Sequence, residues 1–175
     1  MRESASTRRF LDVEELASRQ ACLSGLVEPV LMPRLLEIAA STPSAIAYRI
    51  EFTRDASGRP RMRGRVEGML PLICQRCLEE LEWRIETGFE SLVIGSEHEE
   101  TRGLDAVVCS GGRLDLESVI EDELLLALPN SPAHAYGSCE PPPIRDAGEQ
   151  PALRRTNPFT ALDALRSHRG RERSN

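Results

Sequence analysis

Lysine is absent from this sequence: all 22 basic residues are arginine. Genome base composition is enough to explain that bias, yet it leaves every cation a planar fork suited to phosphate and carboxylate. Aromatic residues are scarce at 4%, and the hydrophobic fraction of 40% suits a small core with room for an unpacked segment. No apolar run approaches the roughly 20 residues of a membrane helix, and "MRESASTRRF" lacks the apolar stretch of a secretory signal. The expected location is therefore cytoplasmic, with no membrane partner. There is no internal repeat and no phosphate-cradling glycine loop. His98 lies in a glutamate-rich loop and His168 in the tail, with no nucleophile assignable to either. The expectation is a protein that is not an enzyme.

What is present fits one domain and a tail in 175 residues. "LDVEELASRQ" reads as a short helix capped by Asp12. "ACLSGLV" is strand-like, and "PRLLEIAA" starts a second helix at Pro33. From Ser44 the period becomes two, with Ile46, Tyr48, Ile50 and Phe52 on one face. "DASG" supplies a turn, and "RPRMRGRVEGMLPL" returns with Arg59, Arg61, Arg63 and Arg65 at alternate positions. "ELEWRIETGFESLVIG" then alternates Leu81, Trp83, Ile85 and Phe89 against Glu80, Glu82, Arg84, Glu86 and Glu90. After a short strand candidate, "DAVVCS", the helical period resumes in "LDLESVIEDELLLALP". Asp115 is its cap, and Leu116, Val119, Ile120 and Leu124 form the buried stripe.

The predicted fold is α+β: a twisted antiparallel sheet with a few packing helices over residues 10–135. A proline-rich linker (136–156), a short helical motif (157–168) and a basic tail (169–175) follow. The acidic residues Asp115, Glu117, Glu121, Asp122 and Glu123 are expected on a solvated or partner-facing helix surface, where the helix dipole favours them.

"LPLICQRCLEELEW" places Cys74 and Cys77 between two strand-like runs, as a knuckle at a hairpin end. Two thiolates at that spacing suit one tetrahedral zinc, and "HAYGSC" offers His134 and Cys139 as further ligands. Cys109 is the substitute for either. A redox pair and unliganded structural thiols stay open as alternatives, although redox C-x-x-C motifs usually open a helix in a βαβ setting that is not visible here. Cys22 is expected to be buried and inert. Arg59, Arg61, Arg63 and Arg65 are candidate RNA contacts, against the alternative of a strand face neutralised by cross-strand glutamates. Phe159, Leu162 and Leu165 are candidate partner-docking residues on a short amphipathic segment.

Taken in order, "LPLICQRCLEELEW", "DLESVIEDELLLALPNSPAH", Cys139 and the terminal "NPFTALDALR" resemble the YceD family. That bacterial and plastid family is associated with accumulation of large-subunit ribosomal RNA. The resemblance covers Leu70 to Leu128 and the terminal motif; the N-terminal third matches only in layout. It implies a non-enzymatic factor supporting synthesis, processing or assembly of the large subunit, with 23S ribosomal RNA or its precursor as partner. A ribosomal protein or RNA-processing enzyme is the alternative partner, and a thiol oxidoreductase is a distant third reading. Many relatives carry more cysteines in the loop where this chain has His134 and Cys139, a departure that bears on the fourth ligand.

Overall fold

The computed structural model describes residues 10–95, 101, 103 and 105–143. The chain divides into two units, Met1–Pro142 and Pro143–Asn175. Phe159, Leu162, Leu165 and the expected terminal helix lie outside the described residues.

Alternation of apolar side chains produces the centre of the first unit. Strands β2 (Cys22–Val27), β3 (Ile46–Arg54), β4 (Pro60–Ile73) and β5 (Glu80–Ile94) pair antiparallel in that order. The even positions of β3, Ile46, Tyr48, Ile50 and Phe52, are all buried, and face Met62, Val66 and Leu70 of β4 and Ile85 and Phe89 of β5 in one core. Each large aliphatic or aromatic side chain sealed there contributes about 1.5–3 kcal/mol. Phe89 lies directly across from Gly64, and a Cβ at that glycine would sit 2.2 Å from the ring. Gly64 is therefore the seat of an aromatic ring, a close approach that no larger residue permits.

Helices α1 (Val13–Ser18), α2 (Pro33–Ile38) and α3 (Leu116–Ala127) pack with this inner layer. Local chemistry sets the starts of α1 and α3. The Asp12 carboxylate accepts from the Glu15 N–H at 3.0 Å, and that of Asp115 from the Ser118 N–H at 3.1 Å. Leu116, Val119, Ile120 and Leu124 form the expected buried stripe of α3. No helix among the described residues is long and apolar enough to cross a membrane.

The fold is α+β as expected, with differences in detail. The sheet is mixed, because β6 (Ala106–Val108) adds to β5 in parallel. A separate two-stranded ribbon pairs β1 (Phe10–Asp12) with β7 (Arg113–Asp115). Cys22 is exposed rather than buried, because its register places it on the outer face of β2, opposite the exposed Glu51.

The acidic face of α3 is also corrected. Glu117 and Glu121 are both buried, at 3% exposure. Glu121 accepts the backbone N–H groups of Arg34 (2.7 Å) and Leu35 (3.1 Å), and the Arg34 guanidinium binds it at 2.8 and 2.9 Å. It serves as the acceptor for the start of α2, where Met32 supplies no side-chain cap. Asp122, which is exposed, takes the third guanidinium nitrogen of Arg34 at 2.7 Å.

Candidate metal centre

Strand β4 stops at Ile73 and β5 begins at Glu80, so six residues must reverse the chain. They do so as a tight knuckle. Cys74 donates its N–H to the Glu79 carbonyl at 2.9 Å, and Leu78 donates to the Cys74 carbonyl at 2.9 Å. Closing the turn forces Leu78 to a φ of +64°, in the left-handed region. The segment after α3 comes to meet it. The Gln75 N–H donates to the Pro132 carbonyl at 2.8 Å. A second turn, with Gly137 at a φ of +80° and Ser138 N–H bonded to the Ala135 carbonyl, folds Cys139 back towards His134.

These two turns bring Cys74, Cys77, His134 and Cys139 together, with their ligand atoms all within 4.8 Å of one another. The Cys74 and Cys139 sulfurs are 3.9 Å apart, and Cys77 Sγ is 3.4 Å from His134 Nδ1. A tetrahedral site with Zn–S of about 2.3 Å and Zn–N of about 2.0 Å has edges of roughly 3.8 Å (S···S) and 3.5 Å (S···N). Both observed edges match. Cys74 and Cys77 are buried and the other two half-buried. The quartet can hold a metal ion. Cys109 does not join it; that thiol is buried in the core and its pKa is pushed up by desolvation and by Asp12.

The electrostatics favour charged sulfur. Desolvation raises the Cys74 pKa, but N–H groups of Cys77, His134 and Arg76 together outweigh it and bring the thiol to about 5. At Cys77 the hydrogen bond at Glu79 lowers the pKa. Desolvation and the neighbouring Cys74 and Cys139 sulfurs prevail and push it up.

Arg76, between the two cysteines, is the residue that spacing did not single out. Its Nε donates to Cys139 Sγ at 3.1 Å, and its Nη2 to the His134 and Ala135 carbonyls at 3.0 Å each. Three thiolates around a divalent ion leave one negative charge, which this guanidinium balances while holding the loop. Arg76→Met is expected to weaken metal affinity about 10–100-fold, with Arg76→Lys intermediate because the charge stays and the fork is lost. Competition against a chromophoric chelator measures this; unchanged affinity in the methionine variant would remove Arg76 from the site. The signal in sequence was only its place inside "CQRC".

The arginines form a second constellation. Arg61, Arg63 and Arg65 share the outer face of β4, whereas Arg59 precedes the strand and pairs with Asp55 at 2.8 Å. Each cation on the strand has a carboxylate. Arg61 and Arg63 both engage Glu90, the latter at 2.9 Å, and Arg65 engages Glu86. Arg49 and Glu51 extend the face onto β3, where a shallow groove of about 630 Å³ opens over Gly88.

A family description, large ribosomal RNA subunit accumulation protein YceD, matches residues 62–166. The large ribosomal RNA subunit accumulation protein YceD of Haemophilus influenzae (strain ATCC 51907 / DSM 11121 / KW20 / Rd) is 27% identical over 143 residues, which cover 77% of this chain and 82% of that protein. No solved structure matches. The family match takes in β4 from Met62 onwards, the knuckle, β5, α3 and all four of Cys74, Cys77, His134 and Cys139, and on that extent the chain belongs to the YceD family.

Proposed function

We propose that this chain is a non-enzymatic, cytoplasmic factor that supports synthesis, processing or accumulation of large-subunit (23S) ribosomal RNA, with a structural zinc ion on Cys74, Cys77, His134 and Cys139. The observation that carries the reading is the family match, together with what its members are named for. The quartet supports the non-catalytic part. Four protein ligands complete a tetrahedron and leave no open position for substrate or water, as structural zinc sites do. Zinc suits the donor set of three sulfurs and one imidazole. Deleting the gene is expected to lower 23S relative to 16S ribosomal RNA, with recovery on re-expression. An unchanged ratio in the deletion strain would overturn the reading.

Contact with RNA would run through Arg61, Arg63 and Arg65, whose phosphate affinity falls steeply with salt. A second reading, an adaptor for a ribosomal protein or RNA-processing enzyme, is favoured by one observation: each of these arginines already holds a carboxylate. Ultraviolet crosslinking in cells separates the two. Reads concentrated on 23S precursor, lost in the Arg61→Glu, Arg63→Glu double variant, support direct binding; no RNA above an uncrosslinked control supports the adaptor.

A further inference from the structure

The outer face of the β4–β5 ladder changes character along its length. Towards the Asp55–Gly58 turn, arginines and glutamates neutralise one another. Towards the knuckle, Met69 and Ile73 stand 38% exposed on β4, opposite Arg84 and Glu80 of β5. Glu67, Glu79 and Glu82 lie exposed around them, and among the described residues no cation pairs with any of the three. The one cation on this stretch of β5, Arg84, is directed to Glu86 at 3.5 Å.

Leu78 makes the same end harder to explain by folding alone. It occupies a left-handed backbone position that glycine adopts without strain, and its side chain is 61% exposed. Neither local conformation nor burial accounts for a leucine there. The metal quartet and Arg76 fix the knuckle that presents it.

We infer that this knuckle end is a docking surface for a basic protein segment, with Met69, Ile73 and Leu78 as the apolar floor and Glu67, Glu79 and Glu82 as the charge complement. Uncompensated carboxylates repel RNA phosphates and attract lysine and arginine, so charge selects a protein over a nucleic acid. Apolar side chains surrounded by charge are the anatomy of a protein interface. The inference rests on the adaptor reading and names the surface it would use.

The test places a photo-crosslinking benzoylphenylalanine at Ile73 in the full-length protein in cells, with Thr53 at the opposite end as control. Adducts are identified by mass spectrometry, and the recovered protein is then purified for affinity measurements. The expected result is an adduct specific to position 73 that maps to a lysine- or arginine-rich protein segment. Its affinity falls at least about tenfold in the Glu67→Arg, Glu82→Arg double variant and weakens with salt. Leu78→Gly guards against a folding artefact: it is expected to bind metal and melt no earlier than the parent, yet to lose affinity by a similar factor. An RNA adduct, no adduct, or full binding by these variants overturns the surface. Measuring 23S in the same strains separates the two claims. Loss of 23S on deletion without an adduct at position 73 sinks the surface alone. A confirmed adduct with unchanged 23S on deletion sinks the ribosomal RNA reading alone.

Discussion

Cys77→Ser is expected to abolish stoichiometric zinc binding and to release the loop that carries His134 and Cys139. The reason is geometric: the quartet is the meeting point of two turns, and with one vertex gone a closed site becomes a weak three-ligand one. At free zinc about a thousandfold above the dissociation constant, the ion stabilises the native state by about 4 kcal/mol, and the variant forfeits that amount. Hydrogen exchange locates the loss. The Gln75 amide, bonded to Pro132, and the Ser138 amide, bonded to Ala135, should lose protection. Amides in the centre of β4 should keep it. Cys109→Ser and Cys22→Ser serve as controls and should retain the metal, since neither thiol joins the quartet.

Acid should mimic the mutation. Zinc binds thiolates, so protons compete with it. Cys77, whose pKa is raised, must give up a proton on loading, and Cys74 begins to take one back as pH falls through about 5. Affinity therefore falls with falling pH, most steeply below that value, where Cys74 too must lose a proton to bind. Zinc analysis after gel filtration at several pH values reads this directly, and stoichiometric zinc surviving Cys77→Ser would refute the proposed centre.

Glu121→Ala should destabilise the fold substantially at a place well away from the metal centre. Its carboxylate satisfies two backbone N–H groups at the start of α2 as well as the Arg34 guanidinium. Truncation leaves those donors without an acceptor beside the core residue Leu35, at a cost of about 2–3 kcal/mol. The half-exposed Arg34 regains water and keeps Asp122, which holds the loss below that of a fully buried pair. Glu121→Gln keeps an acceptor and should cost roughly half as much. Asp122→Ala, at an exposed pair, should stay within about 0.5 kcal/mol of the parent. Urea denaturation distinguishes these, and a Glu121→Ala midpoint equal to that of the parent would show that the cap carries no stability.

The contrast between Asp115 and Glu121 explains what could be read from sequence. Asp115 caps its own helix across three residues, so the information is local and the cap was legible. Glu121 serves Arg34, 87 residues away, and nothing near it distinguishes it from an ordinary surface carboxylate. The same division holds for strands. β4 and β5 announce themselves through long alternation. β6 was visible only as the short apolar run of "DAVVCS", and the β1–β7 ribbon, with strands of three residues each, is too short for any period to register. Cys22 was misread because residue type was weighed above alternation: it shares the outer face with Ser24 and Leu26 and lies opposite the exposed Glu51. The candidate quartet, His134 and Cys139 included, was legible as residue types and spacing, but setting aside Cys109, kept as the substitute, required the second turn.

The span of the candidate metal centre has a consequence for the order of synthesis. Cys139 follows Cys74 by 65 residues, and the ribbon joins Phe10–Asp12 to Arg113–Asp115. At translation rates of about 5–20 residues per second, roughly 3–13 s separate the emergence of the first and last ligands. During that interval Cys74 and Cys77 are a half-site and β1 has no partner strand. The knuckle's own turn can close early, but the four-residue cluster is complete only when nearly all of the first unit has been made, so a chain that stops short of Cys139 lacks its last vertex.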